Sequence, residues 1–316
     1  MSNIAILMPQ WIGEFVCALS VISRKTAATD DHITLIVPQH LIPLCTLLTT
    51  LPYFPYRRAT RSELLDSIAG VKRQRFDKLY ILNHSLSTGW FGMRTGVPVR
   101  RGVSGGLLNP FLTETASVSG AGSGQHITSD YAAILEVDDV SPDAWPGVPV
   151  PPSQEHAGKV VLCPGSRNGT SRQWPGYREL VKLLPSYDFV ILGDQGDVEE
   201  AKSIASHLPH RVHNLAGKTT IETAASILSA GSVVIANHTG LMHLAGYIGV
   251  PVVGIFGPTS AVRHRPLGEA ARSATAQAPC VGCNKGTCSR KDMICLSEIS
   301  PGQVLELAGS VVRQPA

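Results

Sequence analysis

The stretch Val233 to Thr259, VVIANHTGLMHLAGYIGVPVVGIFGPT, leaves this chain few folds to choose from. Val233–Ala236 is a β-branched run without polar alternation, the pattern of a strand buried on both faces. Asn237-His238-Thr239-Gly240 reads as a polar turn, Leu241–Ile248 as a short helix and Pro251–Phe256 as a second buried strand. Two such strands joined through a helix are parallel neighbours in an α/β sheet. The turn then lies at the carboxyl edge of the sheet, where open α/β sheets bind ligands and a helix N-terminus offers free N–H groups to an anion. Thr239 is expected to cap that helix and Gly240 to let a ligand approach the backbone. One more capped βαβ unit without a ligand reads equally well from these residues alone.

The same alternation runs through the chain. Asn3–Met8 is a strand, Pro9 to Glu14 a loop, and Phe15 to about Arg24 a helix. Ile33–Val37 and Leu79–Leu82 are further strands, so the first half predicts a parallel, doubly wound sheet. From Ser141 to Gly158 five prolines fall where no hydrophobic period is visible, which marks a linker. Domains over residues 1–150 and 151–316 follow. Beyond the linker the pattern restarts with strands Val160–Cys163 and Phe189–Leu192 and helices Tyr177–Leu184 and Val198–His207. With 316 residues, 43% of them hydrophobic, the chain has enough apolar side chains for two cores. Two α/β halves on a proline linker imply a cleft between them.

Several stretches carry candidate chemistry. Glu14 follows a glycine at the mouth of the first helix, where it is either a carboxylate presented to a ligand or an ordinary favourable charge in a first turn. The loop Pro164–Pro175 contains Ser166, Asn168 and Arg172 between a strand and a helix, donors of the kind that hold a diphosphate. Between Arg57 and Arg101 ten basic residues face three acidic ones, which suits an anionic glycan or lipid head-group surface, or simply a solvated face. The net charge of +3 is too small to argue for nucleic acid. No apolar run reaches a membrane-spanning length and the N-terminus lacks a basic leader, so a cytoplasmic protein is expected. Cys280, Cys283, Cys288 and Cys295 form a C-x2-C-x4-C-x6-C cluster, which in a reducing compartment favours tetrahedral zinc or iron over disulfides. A reduced loop without metal is the alternative.

PQWIGE, FDKLYILNHS, TGVPVRRGV, CPGSRNGTSRQWP, NLAGKTTIETAASIL, NHTGLMHLAGYIGVPVVGIFGPT and CVGCNKGTCSRKDMICLSEISPGQV, in this order, resemble the ADP-heptose:lipopolysaccharide heptosyltransferases of glycosyltransferase family 9, in the style of the heptosyltransferase II branch. The resemblance implies a GT-B fold, two Rossmann-like domains facing a central cleft, the first taking the acceptor and the second the nucleotide-sugar. It implies inverting transfer of a heptose or related sugar from an ADP-sugar to an anionic lipopolysaccharide inner core or related glycan, with no cofactor needed for catalysis. It also implies peripheral contact with the inner-membrane surface. Glu14 falls where the family has an Asp and becomes the candidate base. Arg172 falls where the family has Lys and becomes a phosphate contact, and Glu222 matches the carboxylate that hydrogen-bonds the ribose. Thr239, Gly240, Met242 and His243 stay on pattern for the nucleotide. His238 stands where the family has the Asp expected to bind donor-sugar hydroxyls, a place where imidazole cannot supply two carboxylate acceptors. A changed donor sugar, or a silent scaffold that binds nucleotide or glycan, are the alternatives this departure raises. Some autotransporter-directed relatives hold iron with four cysteines at other spacings; a metal at Cys280, Cys283, Cys288 and Cys295 would be structural, because four protein ligands leave no open position.

Overall fold

The computed structural model describes residues 1–118, 124–138, 141–166, 172–290 and 292–312. The chain divides into two units, Met1–Val140 and Ser141–Ala316. In the first, the strands are β1 (Asn3–Leu7), β2 (His32–Pro38), β3 (Tyr53–Tyr56), β4 (Lys78–Ile81), β5 (Val99–Val103) and β6 (Glu114–Ala116). They pair in the order β3-β2-β1-β4-β5-β6, and every pairing is parallel. In the second unit β7 (Val160–Cys163), β8 (Phe189–Ile191), β9 (Val212–Asn214), β10 (Val233–Asn237), β11 (Val252–Phe256) and β12 (Ala271–Thr275) pair as β12-β11-β10-β7-β8-β9, again all parallel.

Both sheets are therefore wound alike. Each begins at its centre, runs to one edge, then crosses back to start the other half beside its first strand. The direction of winding reverses between β1 and β4 in one unit and between β7 and β10 in the other. Loops leaving the carboxyl ends of such strand pairs splay apart, which opens a ligand crevice at each switch point. Every residue of β7, β10 and β11 is buried, as their unbroken apolar runs require.

Helices α1 (Ile12–Ala28), α3 (Arg61–Arg73) and α4 (Leu86–Thr95) cover the first sheet, with Tyr56 and Phe91 meeting edge to face at 4.8 Å in its core. In the second unit α6 (Tyr177–Leu183), α7 (Val198–Ala205), α8 (Ile221–Ala230) and α9 (Gly240–Tyr247) follow successive strands. Trp174, Tyr177 and Phe189 fill its core. Helix α12 (Pro301–Gly309), capped by Ser300, packs on β12 and α6.

The proline-rich stretch is a strap on the second unit. Trp145 donates from Nε1 to the Tyr247 carbonyl at 2.7 Å, and the two rings stack at 4.9 Å. Gly147 (φ +87°) and Gly249 (φ +76°) lie back to back; a Cβ on Gly147 would sit 2.7 Å from the Gly249 Cα, so the strap closes only over two glycines. Prolines here fix an extended course along that surface. Among the described residues no helix is long and apolar enough to cross a membrane.

Candidate active site

At the first switch point, Met8 to Trp11 lead from β1 into α1, and Glu14 occupies the first turn of that helix, half-buried. The loop is pinned from both sides. Asn83, just after β4, donates from Nδ2 to the Met8 carbonyl at 2.7 Å. His40 Nε2 lies 3.0 Å from the Gln10 carbonyl, and Arg58 donates to the Gln10 side chain. Arg57 donates to Gln39 Oε1 at 2.9 Å. Arg58 thus reaches the loop that leads into the helix carrying Glu14, while Arg57 is held on Gln39, next to His40. Glu14 also reaches inward, where its charge adds to burial in raising the thiol pKa of Cys17.

Other members of the basic run are occupied with the fold. Lys78 pairs with Glu136 at 2.7 Å and Glu114 at 3.0 Å, while Arg100 donates to the carbonyls of Val97 and Phe111 and Arg101 to that of Ile134. These three hold β4, β5 and α5 (Ile127–Leu135) together and are not a free anion surface. The exposed features of this region lie elsewhere, on α4, where Leu86, Trp90 and Met93 are exposed and Arg94 stacks on Trp90 at 5.7 Å.

The second switch point is organised by Asn237, the last residue of β10 and fully buried. Its Nδ2 donates to the carbonyls of Pro164 at 2.6 Å and Gly165 at 3.4 Å. Its Oδ1 accepts from the Trp174 N–H at 3.3 Å and the Tyr177 hydroxyl at 3.4 Å. All four hydrogen-bonding positions of one amide are thus spent on both ends of the loop after β7. Gly165 lies against the carboxylate of Asp197, too close for any Cβ, and Asp197 accepts from the Asp194 N–H at 2.9 Å. Ser166 and Arg172, both half-buried, stand at the two ends of this clamped loop; Asn168 lies outside the described residues.

Thr239 caps α9, accepting from the Met242 N–H at 3.3 Å, and leaves the helix opening at Gly240. His238, one residue before the cap, has Nε2 3.1 Å from His243 Nε2 and its ring stacked at 4.9 Å on His264 from α10 (Ala261–His264). Phe256, at the end of β11, lies 5.3 Å from the same ring. Burial, then the charges of His264 and Arg172, push His238 down to about 3, so it is neutral at physiological pH. Its Nδ1 and the Nε of Arg172 are buried and have no hydrogen-bond partner among the described residues.

Ser166, Arg172, His238, Thr239, Gly240 and His243 are therefore gathered at one switch point. Met242 points the other way: it is fully buried, its sulfur packed against Gly254 of β11. Glu222 is exposed in the first turn of α8, following β9, two strands away from β7. Asn237, Asp197 and His264 were not singled out by the sequence, since their neighbours come from distant segments.

The cysteine segment is tied to the same region. Gly282 N–H donates to the Gly257 carbonyl at 3.0 Å, and Cys295 Sγ and Leu296 pack on Gly257 so tightly that no Cβ fits there. Cys295 is buried, Cys280 and Cys288 are half-buried and Cys283 is exposed. Burial raises Cys295 to about 11, with Cys280, Cys283 and Cys288 all near enough to act on it. No three of these four sulfurs lie within 4.8 Å of one another as placed, so a thiophilic ion would have to draw them together; the donor atoms that do converge within that distance among the described residues are those of Glu155, His156 and His213. Lys159 Nζ, 3.5 Å from His213 Nε2, puts a cation where that second group would need one.

Residues 67–294 match the family model of glycosyltransferase family 9 (heptosyltransferase). The lipopolysaccharide heptosyltransferase 2 of Escherichia coli (strain K12) is 24% identical over 355 aligned residues, 99% of each chain being covered. The solved structure of E. coli ADP-heptose LPS heptosyltransferase II is similar with a TM-score of 0.81 at 23% identity, over 98% of each chain. That of an E. coli heptosyltransferase with ADP gives 0.77 at 16% identity, over 98% of this chain and 100% of the other. The fold is thus the GT-B type expected from the sequence, with a Rossmann-like sheet in each unit.

Proposed function

The chain belongs to glycosyltransferase family 9, and from that premise we propose that it moves heptose or a related sugar, with inversion, from an ADP-sugar to an anionic lipopolysaccharide inner core or related glycan. The observation that carries the donor half is the second switch point. There Arg172, Thr239 and the open N-terminus of α9 meet at the end of β10, a setting that favours a diphosphate by charge and by free N–H groups. The second unit is accordingly the donor domain and the first the acceptor domain.

In this reading Glu14 accepts the proton of the acceptor hydroxyl. The freed oxygen forms the new bond to the anomeric carbon as the bond to the diphosphate breaks, and the leaving ADP keeps that electron pair. Arg172 and the α9 N-terminus stabilise its added charge. Ser166 and His243 line the nucleotide side, Glu222 takes the ribose, and Met242 serves by packing beneath the α9 turn. Arg58, bonded to Gln10 just before α1, and Arg57, bonded to Gln39, suit an acceptor rich in carboxylates or phosphates. The reaction needs no metal; Cys280, Cys283, Cys288 and Cys295 are the residues that would hold a structural zinc or iron, which would brace the segment already packed on Gly257. The apolar row on α4 with Arg94 gives the first unit a face for the anionic inner surface of the cytoplasmic membrane.

The direct test is release of ADP from ADP-heptose when heptose-deficient inner-core lipopolysaccharide is added. Acceptor-dependent release is expected; its absence with every ADP-sugar and inner-core acceptor tried overturns the reading.

A further inference from the structure

Trp145 and Trp174 are buried, each with its indole N–H on a backbone carbonyl. Trp11 is 58% exposed, in the loop that leaves the carboxyl end of β1 at the first switch point. The backbone that carries it is fixed on both sides of the loop, by Asn83 on the Met8 carbonyl and by His40 on that of Gln10. Its indole is thus held out at a defined place where open α/β sheets take ligands.

Trp11 is also the N-cap of α1, and its side chain makes no capping bond. Helices α3, α4, α8, α9 and α12 each start on a Thr or Ser that does. An indole at this position therefore forgoes the cap without gaining core packing, and such departures from local preference gather at functional positions. Glu14 stands three residues on, at the other position that a capping box joins, so both side chains leave the mouth of the same helix within reach of one another. The Phe15 N–H closes that turn on the Trp11 carbonyl at 2.8 Å.

A broad aromatic face beside a carboxylate suits a sugar, whose ring C–H groups pack on the indole while a hydroxyl faces the carboxylate. Adenine would stack on indole too, but the ADP site is assigned to the second unit. We propose that Trp11 is a positioning residue of the acceptor site, its indole stacking on the C–H face of the acceptor's terminal sugar ring and so setting that sugar's hydroxyl toward Glu14. This rests on the assignment of the first unit as the acceptor domain and deepens it.

The test follows ADP release from ADP-heptose by the intact protein as heptose-deficient inner-core lipopolysaccharide is varied. Trp11→Ala is expected to raise the acceptor KM about tenfold or more, with the ADP-heptose KM within about twofold and the thermal midpoint within about 2 °C of the wild type. Trp11→Tyr should recover most of the loss, because it restores an aromatic face. Acceptor should also change the tryptophan emission of the wild type, and Trp11→Phe should lose most of that change while keeping turnover. An acceptor KM unmoved by Trp11→Ala overturns the inference and leaves the acceptor domain standing. A rise in the ADP-heptose KM as large as that for the acceptor assigns the indole to the nucleotide, and a rise that Trp11→Tyr does not reverse denies the stacking role; either overturns it. No acceptor-dependent ADP release by the wild type removes the transferase reading and this inference with it.

Discussion

His238 and His243 meet nitrogen to nitrogen at 3.1 Å across the first turn of α9, and His238 is kept neutral there. Its pKa, about 3 in the fold against 6.5 ordinarily, sets a pH dependence of stability. The unfolded chain takes up the proton first as pH falls, so this contribution is present above about pH 6.5 and is lost progressively below it, toward pH 3. Between pH 7.5 and 5 the loss is about 1 to 2 kcal/mol, allowing for the partly exposed ring. Urea unfolding of the wild type and His238→Asn over this range should give a stability difference that changes with pH in that direction. A difference independent of pH contradicts the assigned neutral state.

Replacing Glu14 with Gln removes the proposed proton acceptor and keeps the shape of the first turn of α1. Turnover should fall by about 10²- to 10⁴-fold, with ADP affinity within about twofold of the wild type because the two lie in different units. Turnover close to wild type would take the base role away from Glu14.

The four-cysteine segment makes a prediction that separates structure from chemistry. Elemental analysis of the purified protein should find about one zinc or iron per chain, as four thiolate donors close a tetrahedral site. Cys288→Ser should lose the metal and lower the thermal midpoint by about 4 °C or more, leaving turnover at lower temperature near wild type. Metal-free protein that melts like the wild type would contradict a structural ion.

Helix α4 exposes Leu86, Trp90 and Met93, one turn apart along a single face that carries no acidic residue. Vesicles containing anionic lipid should therefore bind the protein, and Trp90→Ser with Met93→Ser should reduce binding by about fivefold or more. Raising salt to about 0.5 M should weaken what remains. Binding that is unchanged in the double variant would place the contact on another face.

The strands were legible because buried parallel strands announce themselves as unbroken β-branched runs, and β7, β10 and β11 fall where those runs are. The cap at Thr239 was legible for a local reason as well, since its partner is three residues away. What sequence order hides is the identity of distant partners. Asn237 reads as a polar strand end, yet its amide fixes Pro164, Gly165, Trp174 and Tyr177, all more than fifty positions earlier in the chain. Lys78, Arg100 and Arg101 read as surface charge until Glu136, Glu114 and the carbonyls of α5 and its neighbours are seen to occupy them. The prolines of Ser141–Gly158 read as a free linker because the stacking of Trp145 on Tyr247 is a contact of long sequence separation.

The most direct measurement of the central claim is calorimetric titration of the purified protein with ADP, UDP and GDP. The account predicts that ADP binds and that UDP and GDP bind at least about tenfold more weakly, with Arg172→Gln weakening ADP. UDP or GDP binding as tightly as ADP, or ADP affinity untouched by Arg172→Gln, would contradict the assignment of the β7–β10 switch point as an ADP-sugar site.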